Sequence, residues 1–314
     1  AKETKVIDFL GKKKIFFILS AVVIIAGFVT MGVHKGNGGD ALNYSLEFKG
    51  GTSTSVEFNE DMSIEELDEK VVPIIEEISK DANVQTQKVQ GSNQVIFKSA
   101  TLDVSQREEL NSRLEEEFGV DPEKITAETI SSTISSEMRT GAVSAVVVST
   151  VLMLLYVWFR FKDVRFGASS VAALVHDVLV VLAFYAAARV SVGNTFIACM
   201  LTIVGYSINA TIVIFDRIRE NMTSYKTKEE LAAIVNRSIS QTLSRSIFTS
   251  LTTFIMVAVL YILGVSSIKE FALPLMVGIA CGTYSSICLA SAFWYLLRTR
   301  VGGKKAEKDK KAAK

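Results

Sequence analysis

Asp177 stands beside His176 within the apolar run VAALVHDVLVVLAFYAAA, and Arg245 lies in a stretch rich in hydroxyls and apolar residues. A carboxylate, an imidazole and a guanidinium are groups that carry or balance a proton. A charge placed at mid-membrane costs roughly 2.5–3.5 kcal/mol on insertion scales, so its presence calls for a reason. Two reasons are open for Asp177 and His176: a proton relay, or structural hydrogen bonds to neighbouring helices. Adjacent helical positions point about 100° apart, so the two are expected to face different partners. Arg245 is the natural counter-charge, entering the membrane or snorkelling at its edge. Thr249, Thr252 and Thr253 would extend a hydroxyl-lined face beyond it.

A second polar island interrupts the run Val204–Asn221, VGYSINATIVIFDRIREN. Tyr206, Asn209, Ala210 and Val213 are three, four and seven apart and share a helical face. Tyr206, Ser207 and Asn209 together read as a polar face, with Asn209 open to a pathway role or to interhelical hydrogen bonding. Gly205 and Ala210 would allow close helix approach. Asp216 is expected to cap a turn or to pair with Arg217 or Arg219 at the helix end, in the motif that also holds Glu220.

Enzymatic chemistry finds little support. No G-x-x-x-x-G-K-[ST] phosphate loop, HExxH, GxSxG or Cys/His cluster is present. There are two histidines, and His34 has no evident role. Cys199, Cys281 and Cys288 all lie in apolar runs and read as small buried hydrophobes. The expectation is a non-enzyme with no cofactor, no metal site and no nucleic-acid partner.

The elements that must position these residues are membrane helices. The chain has 314 residues, 49% hydrophobic and 21% charged, with three prolines and a mean hydropathy of +0.33. The charges are segregated: residues 35–139 hold 22 acidic and 10 basic residues, a balance of −12, and the rest balances at +13. A bilayer core of about 30 Å needs roughly 20 apolar residues as helix. Six segments qualify, near 15–33, 141–159, 167–188, 193–215, 247–264 and 271–297. The first follows Lys12–Lys14 but has no small-residue cleavage site, so it reads as an uncleaved anchor behind a short cytoplasmic N-terminus, residues 1–14. Basic residues cluster before the first span, between spans two and three, between spans four and five (a cytoplasmic loop, 216–240) and after span six. Both termini are therefore expected in the cytoplasm, with residues 34–140 outside and spans two to six filling 141–298. The basic tail, 299–314, reads as a disordered cytoplasmic segment, with contact to anionic headgroups or a ribosome the weaker alternative.

The outer segment alternates as a strand over Ser45–Phe58, with a bulge or bend at Gly50-Gly51. A helix over Ser63–Lys80 opens with a Ser63/Glu66 capping box. Strands follow at Val84–Val89 and Gln94–Lys98 around the turn Gln90–Asn93. A second helix starts at Asp103 or Ser105 and ends at Gly119, and a last strand spans Lys124–Ile130. The order β-α-β-β-α-β predicts a ferredoxin-like α+β domain, and its acidity reads as a solvated face.

GYSIN with TIVIFDRIREN, SISQTLSRSIFTSLTT (Ser238–Thr253), ALVHD (Ala173–Asp177) and YSLEFKGGT (Tyr44–Thr52) together resemble the SecF family of bacterial protein-export membrane subunits. The resemblance implies a six-helix half related to the RND superfamily, in the cytoplasmic membrane, paired with SecD beside the SecYEG channel. It further implies indirect neighbours YidC and SecA, an unfolded preprotein at the outer face, and use of the proton gradient late in export. It also marks Glu47, Phe48, Gly50, Gly51 and Thr52 as the family's motif after the first span, with Glu47 where Asp is usual. The family pattern is GYSIND, whose aspartate carries a proton; here that position is Ala210, while the family's arginine matches Arg245. Either Asp177 takes over, or a carboxylate of SecD carries the proton, or the subunit is a passive stabiliser. A small-molecule exporter half is a weaker alternative, because no second six-span repeat is present.

Overall fold

The structure is a computed structural model that describes residues 6–82, 84–89, 91–222 and 227–299. The turn residue Gln90 and the basic tail beyond Thr299 lie outside the described residues. The chain divides into two units, 44–143 with 192–194, and the remainder.

The first unit opens with a helical turn, α2 (Leu46–Lys49), named after the long first helix α1 (Lys13–Gly36), and continues into strand β1 (Gly51–Glu57). The expected strand from Ser45 is thus broken. Gly50 and Gly51 adopt φ of +77° and +124°, which turns the chain where a side chain would be strained. A Cβ at Gly51 would also collide with the Ser99 carbonyl oxygen. The predicted helix over Ser63–Lys80 is two helices, α3 (Ile64–Lys70) and α4 (Val72–Ser79). Pro73 near the start of α4 lacks an N–H and fits only a new first turn, so the helix restarts at Val71. The capping box is present: Ser63 Oγ accepts from the Glu66 N–H at 3.2 Å, and Glu66 Oε2 accepts from the Ser63 N–H at 3.0 Å.

Strands β2 (Gln85–Lys88) and β3 (Gln94–Ser99) form a hairpin, helix α5 (Val104–Phe118) follows, and strand β4 (Ile125–Ile130) completes the sheet. Asp103 caps α5, and Gly119 closes it in the left-handed conformation. The sheet order is β2-β3-β1-β4 with every pairing antiparallel, which is the ferredoxin-like topology the sequence predicts. Strand β3 buries alternate residues Val95, Phe97 and Ser99. Phe97 then packs with Val56, Leu67, Ile75, Leu110 and Leu114 beneath α3–α5.

The second unit consists of helices. With α1 they are α6 (Ser132–Phe161, from residue 144 onward), α7 (Val164–Ala188), α8 (Asn194–Asn221), α9 (Lys228–Leu263) and α10 (Ser266–Tyr284). Helix α10 runs into a π-helical stretch, Ser285–Ala290, and on to Thr299. Among the described residues six helices are long and apolar enough to cross a membrane, and they contain the six predicted spans to within a residue or two at their ends. The segment 216–240, expected as a loop, is helical over 216–221 and 228–240, because Thr227 caps α9 through the Glu230 N–H at 3.1 Å.

Candidate functional site

Asp177 sits midway along α7 with no exposed surface. Its two oxygens are served from different helices. Ser207 Oγ of α8 donates to Oδ2 at 2.5 Å, and Ser285 Oγ donates to the same oxygen at 2.7 Å. Both lengths fall within the range of O–H···O bonds, about 2.5–3.0 Å. Oδ1 takes the thiol of Cys281 at 3.3 Å and lies 2.9 Å from His176 Nδ1. His176 and Asp177 therefore share a partner, contrary to the helical-wheel expectation. Their Cα atoms are neighbours, and side chains of this length fold back across a turn of about 100° to meet.

The backbone makes this convergence possible. Gly278 and Gly282 are four apart on α10, the small-xxx-small pattern that lets membrane helices approach closely. A Cβ at Gly282 would stand 3.2 Å from the Ser207 Cβ, and one at Gly278 would collide with the Ile203 side chain. The close approach thus belongs to these glycines, whereas Gly205 of α8 faces open space. Successive residues of a regular helix diverge by about 100°, and a π turn relaxes that spacing. Ser285 can then serve Asp177 while Ser286 donates to the Ser207 carbonyl at 3.2 Å and bonds Thr211 Oγ1 at 2.9 Å.

Helix α8 carries its other polar residues on a different face. Tyr206, Asn209, Ala210 and Val213 line a cavity of about 80 Å³ with Arg245, Ser246, Thr249 and Ser250 of α9. Arg245 is exposed there, and no carboxylate lines the cavity. The expected Arg245–Asp177 pairing is therefore not found: the carboxylate already takes its donors from α7, α8 and α10. Thr252 and Thr253 turn their hydroxyls back onto the Thr249 carbonyl, leaving Thr249 as the threonine of that cavity.

At the far end of α8, Asp216 pairs with neither expected arginine. Both its oxygens lie 3.0 Å from Arg160 Nη2 of α6. Arg217 instead reaches Gln241 of α9 at 2.7 Å and Glu220 at 2.8 Å, and Arg219 donates to the Arg160 carbonyl at 3.3 Å. The motif ties α8 to α6 and α9.

The motif after α1 is structural in the same sense. Glu47 Oε2 accepts from the Asn194 N–H at 2.8 Å within the first unit. Phe48 is buried, and Thr52 Oγ1 accepts from the Leu102 N–H at 2.9 Å while bonding Thr129 Oγ1 at 2.9 Å.

Sequence reasoning placed Ser207 on the Tyr206 face and did not single out Thr211, Ser285 or Ser286. Ser207 and Thr211 are four apart, and Ser285-Ser286 interrupts an apolar run. Those signals could have paired the two helices.

Residues 110–300 match the family described as protein export membrane protein SecD/SecF, C-terminal. The chain belongs to this SecD/SecF family. It is 36% identical to the SecF protein translocase subunit of Sebaldella termitidis over 95% of this chain and 94% of that one. It is 34% identical to the Bacillus subtilis protein translocase subunit SecDF, covering 93% of this chain and 38% of that one. The crystal structure of Thermus thermophilus SecDF, a translocon-associated membrane protein, superposes with a TM-score of 0.76 at 35% identity, over 94% of this chain and 39% of the other. The SecD/SecF assignment makes the six apolar helices those of a multi-pass membrane protein with a Sec-pathway role in protein export.

Proposed function

We propose that this chain is the SecF-type half of a SecD–SecF pair that assists the late stage of preprotein export across the bacterial cytoplasmic membrane, driven by the proton-motive force. In this reading it is not an enzyme. Both termini lie in the cytoplasm and the ferredoxin-like domain lies outside, where it meets unfolded preprotein leaving SecYEG, with SecA and YidC as indirect neighbours. The observation that carries the pairing is the coverage. The same segment matches a free-standing SecF along its length and 38–40% of fused SecDF chains, whose remaining length is what SecD would supply.

The proton-carrying group is assigned to SecD. Arg245 faces a polar cavity whose α8 wall offers Ala210 and no acid, so a carboxylate must come from a partner to complete an ion pair there. Asp177 takes hydroxyl donors from Ser207 and Ser285 and the Cys281 thiol, and so serves to hold helices together. One charge crossing 100 mV corresponds to about 2.3 kcal/mol, enough to shift a two-state movement of the outer domain. The passive reading draws on the same Ala210, since a subunit without a titrating group can stabilise SecD alone.

The test is preprotein export by vesicles holding this chain with its SecD partner and SecYEG. Stimulation that disappears with an uncoupler, and survives Asp177→Asn in this chain, supports the proposal. Stimulation equal with and without the gradient replaces it with the passive reading.

A further inference from the structure

His176, Asp177 and Cys281 bring an imidazole nitrogen, a carboxylate oxygen and a thiol sulfur together, all three residues being buried. The distances are 2.9 Å from Nδ1 to Oδ1, 3.3 Å from Sγ to Oδ1 and 3.9 Å from Sγ to Nδ1. Zinc holds nitrogen and oxygen at about 2.0–2.2 Å and sulfur at about 2.3 Å, and tetrahedral angles then set such donors about 3.3–3.6 Å apart. The three separations bracket that spacing. We propose that this cluster is a binding site for a zinc-class divalent cation, formed by one face of a tetrahedron between α7 and α10.

Two further observations bear on the site. The first is how the carboxylate is shared. Ser207 and Ser285 both bind Oδ2, which fixes the group so that Oδ1 is left to the imidazole and the thiol. Hydrogen bonds of this kind orient metal ligands. The second is room. His176 and Cys281 both line a cavity of about 470 Å³ whose other walls are mainly apolar, among them Leu19, Val23, Leu273 and Met276. The imidazole Nε2 has no hydrogen-bond partner, so a proton moved there on binding stays unpartnered.

The charge balance suits the depth. A divalent cation with one carboxylate, one thiolate and one neutral imidazole is electrically neutral, which avoids the penalty of a charge in the membrane. Binding breaks the Cys281 S–H bond and forms a metal–sulfur bond, with the thiol proton leaving to water. The imidazole proton moves from Nδ1 to Nε2, and nothing is oxidised. A thiolate beside an imidazole selects zinc-class ions over magnesium or calcium, which prefer oxygen ligands. Cys281 lies 104 residues from Asp177 and forms no spaced motif with it, so the cluster has no signature in the sequence.

Tag-free chain in detergent, titrated with Co²⁺ and then displaced by Zn²⁺, tests the site. The expected result is one equivalent bound, with a sulfur-to-cobalt charge-transfer band that Zn²⁺ removes. Cys281→Ser and Cys281→Ala should lose the band, while Cys199→Ser and Cys288→Ser keep it. Ser207→Ala should weaken binding about 10–100-fold by loosening the carboxylate. Zn²⁺ should also raise the melting temperature of the original chain and of neither Cys281 variant, whose metal-free melting curves report whether they fold. Absence of any band from the folded original chain, or a band that persists without the Cys281 thiol, overturns the site.

Discussion

Ser207 Oγ donates to Asp177 Oδ2 across 2.5 Å, joining α8 to α7 at a point where neither residue is exposed. Ser285 brings the helix that follows α10 to the same oxygen at 2.7 Å. One carboxylate thus fastens three helices, and its two serine donors are expected to be energetically coupled.

Ser207→Ala or Ser285→Ala should each destabilise the protein by about 1–2 kcal/mol. That is above the average for interhelical hydrogen bonds in membranes because the acceptor is a carboxylate. The double variant should cost less than the sum, since Asp177 loses its reason to stay oriented after the first deletion. Unfolding in a mixed-detergent titration measures all three, and strict additivity would refute the shared-acceptor account.

The fold was legible where a single period or a single cap decides it. The six spans follow from apolar length, and the Ser63/Glu66 box and the Asp103 cap follow from local hydrogen bonds. Pro73 and the Gly50-Gly51 pair changed element boundaries, because one missing N–H or two positive φ angles outweigh an apolar period. The site was only half legible. Asp177 announced itself as a charge in an apolar run, but its donors lie 30 and 108 residues away. A helical wheel also cannot tell which of two polar faces of α8 meets which neighbour.

Gly278 decides how near α10 comes to α8. Its added Cβ would overlap the Ile203 side chain, which is itself 1% exposed and has no room to yield. Gly278→Val should therefore cost about 1–3 kcal/mol through overpacking. Ile203→Ala in the same chain should recover part of that loss by opening space. Thermal melting of the single and double variants checks the pair; a double variant weaker than both singles together would place the collision elsewhere.

Asp103 gives the outer domain an acid-sensitive cap. The N–H of Gln106 at 2.8 Å, and then the Ser105 hydroxyl at 2.7 Å, hold its carboxyl below the ordinary carboxylate range. The folded form therefore has the lower pKa. The cap's contribution is complete above the unfolded value of about 3.9 and is lost as pH falls through the folded value. Asp103→Asn keeps an acceptor oxygen but cannot titrate. Protection of the domain against pepsin should fall more steeply with acid in the original chain than in Asp103→Asn. Parallel profiles would show that α5 does not depend on this cap.

Asn236 fastens the segment before α1 to α9. Its Oδ1 accepts the N–H groups of Phe9 at 3.1 Å and Leu10 at 3.0 Å, and its Nδ2 donates to Asp8 Oδ1 at 2.8 Å. Ser240 Oγ takes the Ile7 N–H at 3.0 Å one helical turn further on. Leu10 is 3% exposed and packs in the core with Leu231, Val235 and Ile239, so the strap holds down an apolar anchor as well as polar groups. The Asp8 carboxyl is held below its usual range first by the Gly11 N–H and then by Asn236. Removing the Asn236 amide strands two backbone donors, one of them buried. Asn236→Ala should destabilise the strap by about 1–3 kcal/mol. Asn236→Asp keeps the acceptor oxygen but sets a second carboxylate against Asp8, so it should rescue poorly at neutral pH and better in mild acid. Amide hydrogen exchange over Ile7–Gly11 reads both effects, and unchanged protection in Asn236→Ala would mean that Leu10 packing alone holds the segment.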